Sequence, residues 1–257
     1  MKNIKALLDK EVCNRNSACE LSYERPDPLL VASRYTDEYT VLLCALFAYG
    51  NAKLIVKLLD GFDFSLLNQS EEHIQKALQG VYYRFQNTQD IIEVFKTFRR
   101  LKQEESLNAC FYEAYEKEHN VLEGIDAIIR KIHGLNSYAS KGYGFLISSP
   151  FKRDKHHTIK AIGNPPYKRW NMFLRWMVRN DALDLGLWNN ISTQDLILPL
   201  DTHTFKVSQK LGLLTRTTYD LQSALLITQK LKEFDKEDPT KYDFALYRIG
   251  QEKLIIS

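Results

Sequence analysis

The chain has no Cys-x-x-Cys pair and no cysteine after Cys110. Its four cysteines, Cys13, Cys19, Cys44 and Cys110, are scattered, which argues against a disulfide framework and against a zinc or iron–sulfur site. It lacks any apolar run approaching the ~20 residues that span a bilayer, and residues 1–16 form a short amphipathic stretch broken by charges rather than a signal peptide. Alternating apolar–polar patterns are missing apart from a weak strand candidate at 143–147, and there is no internal repeat or low-complexity tract. These absences leave a soluble, cytoplasmic protein, metal-free and without a cofactor. Its 257 residues are enough to bury a sizeable core.

What is present has helical spacing almost throughout. Leu42, Leu43, Leu46 and Phe47 predict one helix before Tyr49-Gly50-Asn51, and Leu54, Ile55, Leu58 and Leu59 predict another after it. Ser70 can cap a helix holding Ile74, Ala77 and Leu78. Thr88 precedes Ile91, Ile92, Phe95 and Phe98, and Ser106 precedes Leu107, Cys110, Phe111 and Tyr115 in the same way. Residues 121–133 carry Ile125, Ile128, Ile129 and Ile132 on one stripe. The class is all-α.

The overall net charge is only +3, but it is unevenly spread. Residues 141–180 hold nine basic residues and a single acid, Asp154, so the rest of the chain is net acidic. A basic segment on an acidic body suits a polyanion, and it equally suits a solvated surface. Within it, residues 141–166 contain Gly142, Gly144, Pro150, Gly163, Pro165 and Pro166 with poor periodicity. That composition predicts a loop between two helical lobes, either a nucleic-acid cleft or a plain connector. His156-His157 has no cysteine or carboxylate at ligand spacing and reads as part of that loop.

Asn164-Pro165-Pro166-Tyr167-Lys168 opens the next helix, where proline is tolerated because its missing N–H has no partner in the first turn. Trp170, Phe173, Leu174 and Met177 should be core. Lys168, Met172, Arg175 and Arg179 share another stripe. A lysine at a helix N-terminus beside two arginines sits in a positive field that disfavours its ammonium form, as partial burial would. Lys168 is therefore a candidate amine nucleophile, although a solvated basic face has the same pattern. Farther on, Leu200-Asp201-Thr202-His203-Thr204-Phe205-Lys206-Val207 starts a helix with Asp201 as its N-cap. Capping alone accounts for an aspartate there, but a capping aspartate is also a rigidly held carboxylate.

That last segment resembles the V-D-T-H-x-x-R-V-like segment of helix-hairpin-helix DNA glycosylases of the endonuclease III type, with Lys206 in place of arginine and leucine before the aspartate. The family's nucleophilic lysine opens a helix ahead of this aspartate, and Lys168 fits that position. The family's Gly-x-Gly turn is absent, only Gly163 preceding Asn164-Pro165-Pro166, and the Lys168–Asp201 interval is longer than in endonuclease III. Both features look more like the archaeal 8-oxoguanine DNA glycosylase branch. The longer string from Lys168 through Asp184-Leu185-Gly186-Leu187-Trp188 to His203 is similar to a bacterial family of unknown function (DUF2400-like).

The resemblance implies a two-lobed helix-hairpin-helix glycosylase fold with a divergent hairpin, a single domain over residues 1–257. Its approximate lobes are 30–140 plus a C-terminal helix at 238–257, and 141–237. It implies a monomeric bifunctional glycosylase and lyase that binds double-stranded DNA and excises 8-oxoguanine, with Lys168 as nucleophile and Asp201 as its carboxylate partner. Asn51, Tyr83, Met172, Arg175, Asp243 and Tyr247 are then candidates for substrate binding. Lys152, Lys155, Lys160 and Arg169 are candidates for DNA binding, with Arg175 as a further phosphate contact. A glycosylase for another damaged base and a non-catalytic DNA-binding protein on the same scaffold are the alternatives.

Overall fold

A computed structural model describes residues 2–252, and among them the regular structure is entirely helical. The chain divides into two compact units, residues 26–151 and the discontinuous pair 1–25 with 152–257.

The discontinuous unit begins with α1 (Lys2–Arg15). The continuous unit then contains α2 (Leu29–Ala32), α3 (Glu38–Leu46), α4 (Ala52–Asp60), α5 (Glu71–Ala77), α6 (Thr88–Glu104), α7 (Leu107–Tyr115), α8 (Val121–Leu135) and α9 (Lys141–Ile147). Polar side chains start these helices by satisfying orphan backbone N–H groups. Asn51, Ser70 and Ser106 do so for α4, α5 and α7. At α6 the cap is Asn87 rather than Thr88, in a capping box with Asp90. The apolar stripes read from the sequence are buried: Leu42, Leu46, Ile91, Phe95, Phe98, Phe111, Ile125 and Ile129 are fully enclosed. α8 packs on α7 and on α6. The weak strand candidate at 143–147 is instead helical, within α9. Ser140 caps it through the Tyr143 N–H, and Tyr143, Leu146 and Ile147 are buried on helical spacing.

The discontinuous unit continues with α10 (Lys168–Val178), α11 (Thr202–Lys210), α12 (Leu221–Lys232) and α13 (Asp243–Gln251). The sequence reading groups residues 238–257 with 30–140. In the structure α13 packs on α11 and α1, and residues 253–257 lie outside the described residues. Arg15 on α1 donates to both Glu252 carboxylate oxygens at 2.9 and 2.6 Å, and Tyr242 Oη donates to Asp9 at 2.8 Å. Gly250 lets α13 approach α11 closely, since a Cβ there would lie 2.9 Å from Val207 Cγ2 and 3.3 Å from His203 Cβ. Among the described residues no helix is long and apolar enough to cross a membrane.

Candidate active site

Lys168 is the first residue of α10 and is half-buried. No Gly-x-Gly turn precedes it. The left-handed backbone that such a turn needs is supplied by Gly163 at φ 85° and by Tyr167 at φ 46°. A tyrosine in that region is strained by about 1–2 kcal/mol, and its buried ring holds it in place. Asn171 secures the same turn by donating to the carbonyls of Pro166 at 3.0 Å and Tyr167 at 3.3 Å. The Lys168 amine lies 3.2 Å from the sulfur of Met172, one turn along, and Met172 itself is buried.

Asp201 is the N-cap of α11, as the sequence predicts, and accepts the Thr204 N–H at 2.7 Å. The residues before it are fixed from two sides. The Leu198 N–H donates to the Thr228 hydroxyl at 3.0 Å, and Tyr219 Oη donates to the Leu200 carbonyl at 2.7 Å. Burial and the nearby charge of Asp201 both raise the Tyr219 phenol above its ordinary range.

Asp243, at the start of α13, connects the two. Its carboxyl is buried and accepts from Arg175. Burial pushes it up to about 6, with Arg175 opposing, Asp201 reinforcing and Lys168 opposing. Lys168, Asp201 and Asp243 come from three helix starts far apart in the chain, and the charges of the first two bear on the third. A carboxyl held near 6 exchanges its proton close to neutral pH, as acid–base work requires.

The expected positive stripe along α10 is not a free basic face. Residues 170–178 are all buried, so α10 is enclosed on every side. Arg175 pairs with Asp184 at 3.2 Å and with Asp243. Arg179 pairs with Asp181 at 2.8 Å, with Asp238 at 3.0 Å and with Asp184. Four carboxylates thus surround two guanidinium groups and cancel their field. Arg175 is therefore an internal counter-ion of the site rather than a phosphate contact. Asp184, which the sequence reading names in the family-like string without giving it a role, is the bridge between the two arginines, and its burial raises its carboxyl. Its signal was the Asp181-x-x-Asp184 pair directly after Arg179.

Lys152, Lys155 and Lys160 are exposed on a short hairpin in which Arg153 and Ile159 pair. Buried Asn164 clamps its base, accepting the Lys152 N–H at 2.9 Å and donating to the Lys152 and Lys160 carbonyls at 3.0 and 2.7 Å. His156 and His157 sit at the hairpin tip, where Asp154 accepts the His156 and Thr158 N–H groups. Arg169 is half-buried beside Lys168. Tyr247 is half-buried one turn after Asp243, with the Arg248 guanidinium 5.8 Å from its ring centre. Asn51 and Tyr83 belong to the unit 26–151. Asn51 is exposed and caps α4, whereas Tyr83 is buried with its hydroxyl donated to the Tyr49 carbonyl at 2.8 Å. Its ring packs edge-on against those of Phe47 and Tyr49.

A family model described as a protein of unknown function (DUF2400) matches residues 27–252. No curated protein and no solved structure matches the chain.

Proposed function

We propose that this chain, which belongs to the DUF2400 family of proteins of unknown function, is a bifunctional DNA glycosylase and lyase that removes oxidised guanine through a lysine Schiff base. The observation that carries the reading is the buried carboxyl of Asp243, paired with Arg175 and under the charges of both Lys168 and Asp201. An amine at a helix start, a capping carboxylate and a second carboxyl titrating near neutrality are the parts that such chemistry needs.

A base inside a duplex is out of reach, so the damaged nucleotide is first extruded, at a cost of a few kcal/mol. The Lys168 amine, once it has given up its proton, bonds to C1′ of the sugar as the glycosidic bond breaks, the electron pair of that bond leaving with the base, which takes up a proton. Asp201 stabilises positive charge developing at the sugar and receives the proton that the lysine sheds. The sugar ring then opens to a Schiff base, and loss of a C2′ proton expels the 3′ phosphate. Lys152, Lys155 and Lys160, exposed on the clamped hairpin, are suited to phosphate contacts on double-stranded DNA.

Borohydride trapping on an 8-oxoguanine duplex tests the reading. A covalent adduct is expected with the native chain and none with Lys168→Gln. Tight DNA binding with no adduct on any damaged base would sink the enzymatic reading and leave a non-catalytic binding protein.

A further inference from the structure

Segments 49–57, 81–87 and 141–147 carry four cations, Lys53, Lys57, Arg84 and Lys141, and no carboxylate. All three lie in the unit 26–151. Three of their aromatic side chains, Tyr49, Phe85 and Phe145, gather at one place. The Tyr49 ring centre is 4.7 Å from that of Phe145 and 5.8 Å from that of Phe85, and Phe85 and Phe145 are 4.9 Å apart. These rings are not core. Phe85 is 53% exposed and Phe145 41%.

The surface is firmly built from beneath. Buried Gln86 accepts from the Tyr49 hydroxyl and donates to the Gly142 carbonyl at 3.2 Å, so one amide ties the three segments together. The backbones of Tyr83 and Gln86 pair at 3.1 and 2.9 Å, closing a tight turn that thrusts Arg84 and Phe85 outward. Arg84 sits at φ 55°, a strained conformation for a non-glycine residue, with its guanidinium carbon 5.5 Å from the Tyr49 ring centre. Gly50, at φ 101°, makes the room, since a Cβ there would overlap the Arg84 guanidinium.

Clustered exposed aromatics are unfavourable in water and mark a contact surface. Flat rings interleaved with cations, above an Asp90 carboxylate that is itself buried beside Gly142, match a partner with flat π faces and negative charge. We propose that Phe85 and Phe145, with Tyr49 against them, form a platform on which unpaired bases of single-stranded nucleic acid stack, with Arg84 and Lys141 against the phosphates. The platform goes beyond the lysine chemistry and does not depend on it.

Fluorescence anisotropy of the full chain with labelled oligodeoxythymidylate, and with a duplex of equal length, tests the platform. Phe85→Ala and Phe145→Ala are each expected to weaken single-strand binding about tenfold with an unchanged melting temperature. Arg84→Asn, a residue tolerant of that backbone conformation, should lower the salt slope of binding by about 0.7. Folded phenylalanine variants that bind like the native chain would overturn the platform, as would a native chain that ignores the single strand. Trapping at Lys168, measured in parallel, keeps the two ideas apart. Trapping without platform-dependent binding sinks the platform alone, and platform-dependent binding without trapping sinks the lysine reading alone.

Discussion

Asp201 accepts the Thr204 N–H and is also the carboxylate proposed to face the sugar, and two substitutions separate those roles. Asparagine caps a helix about as well as aspartate. Asp201→Asn should therefore stay within about 1 kcal/mol of native stability while losing most turnover and leaving DNA binding nearly unchanged. Asp201→Ala should lose the turnover and in addition about 1 kcal/mol of stability. Urea melts and single-turnover kinetics check both, and unfolding of Asp201→Asn would reduce the residue to a cap. Arg175 makes the opposite case. A surface phosphate contact could be removed without harm to the fold, but Arg175→Met strands Asp184 and Asp243 as buried, under-compensated charges. It is expected to cost about 3–5 kcal/mol in urea denaturation, and a neutral result would contradict the ion network. Lys168 and Asp201 were legible because a helix start and an Asp-Thr-His cap are local signals. The neutralisation of Arg175 and Arg179 was not, because Asp181, Asp184, Asp238 and Asp243 all lie outside the basic segment in which the charge was counted.

Helix starts were the most readable elements, since a cap and the stripe behind it sit within one turn of each other. Ser70, Ser106 and Asp201 all cap as expected. Residues 143–147 misled because five residues are too few to separate a period of 2 from one of 3.6. Helix α12 was not anticipated: its stripe of Leu221, Ala224, Ile227 and Leu231 is diluted by Ser223 and Thr228, which are themselves buried and hydrogen-bonded. The pairing of α11 with α13 brings the Asp201 and Asp243 helix starts into one electrostatic neighbourhood, and its closeness depends on Gly250. Alanine normally gains about 1 kcal/mol over glycine inside a helix. Here overpacking against Val207 should outweigh that gain by about 1–2 kcal/mol. Gly250→Ala should therefore lower the melting temperature and slow the trapping reaction together. A more stable variant with native kinetics would show that the two helices need not lie so close.

At the scale of the whole molecule, the all-α class followed from periodicity, but the division of the chain did not. Contacts that join α1 to α13, such as Arg15 to Glu252 and Tyr242 to Asp9, are separated by more than two hundred residues, and no local pattern announces them. Residues 26–151 hold their own enclosed core, so this segment produced alone should unfold cooperatively in urea. A featureless, non-cooperative melt would show that it needs the remainder of the chain. The same connectivity sets a timetable for a protein made from its N-terminus onward. The continuous segment finds its packing partners within itself and can close while translation proceeds. The unit around Lys168 must keep α1 waiting until α13 has been made, so the candidate chemistry comes into being only after residues 26–151 have been free to close.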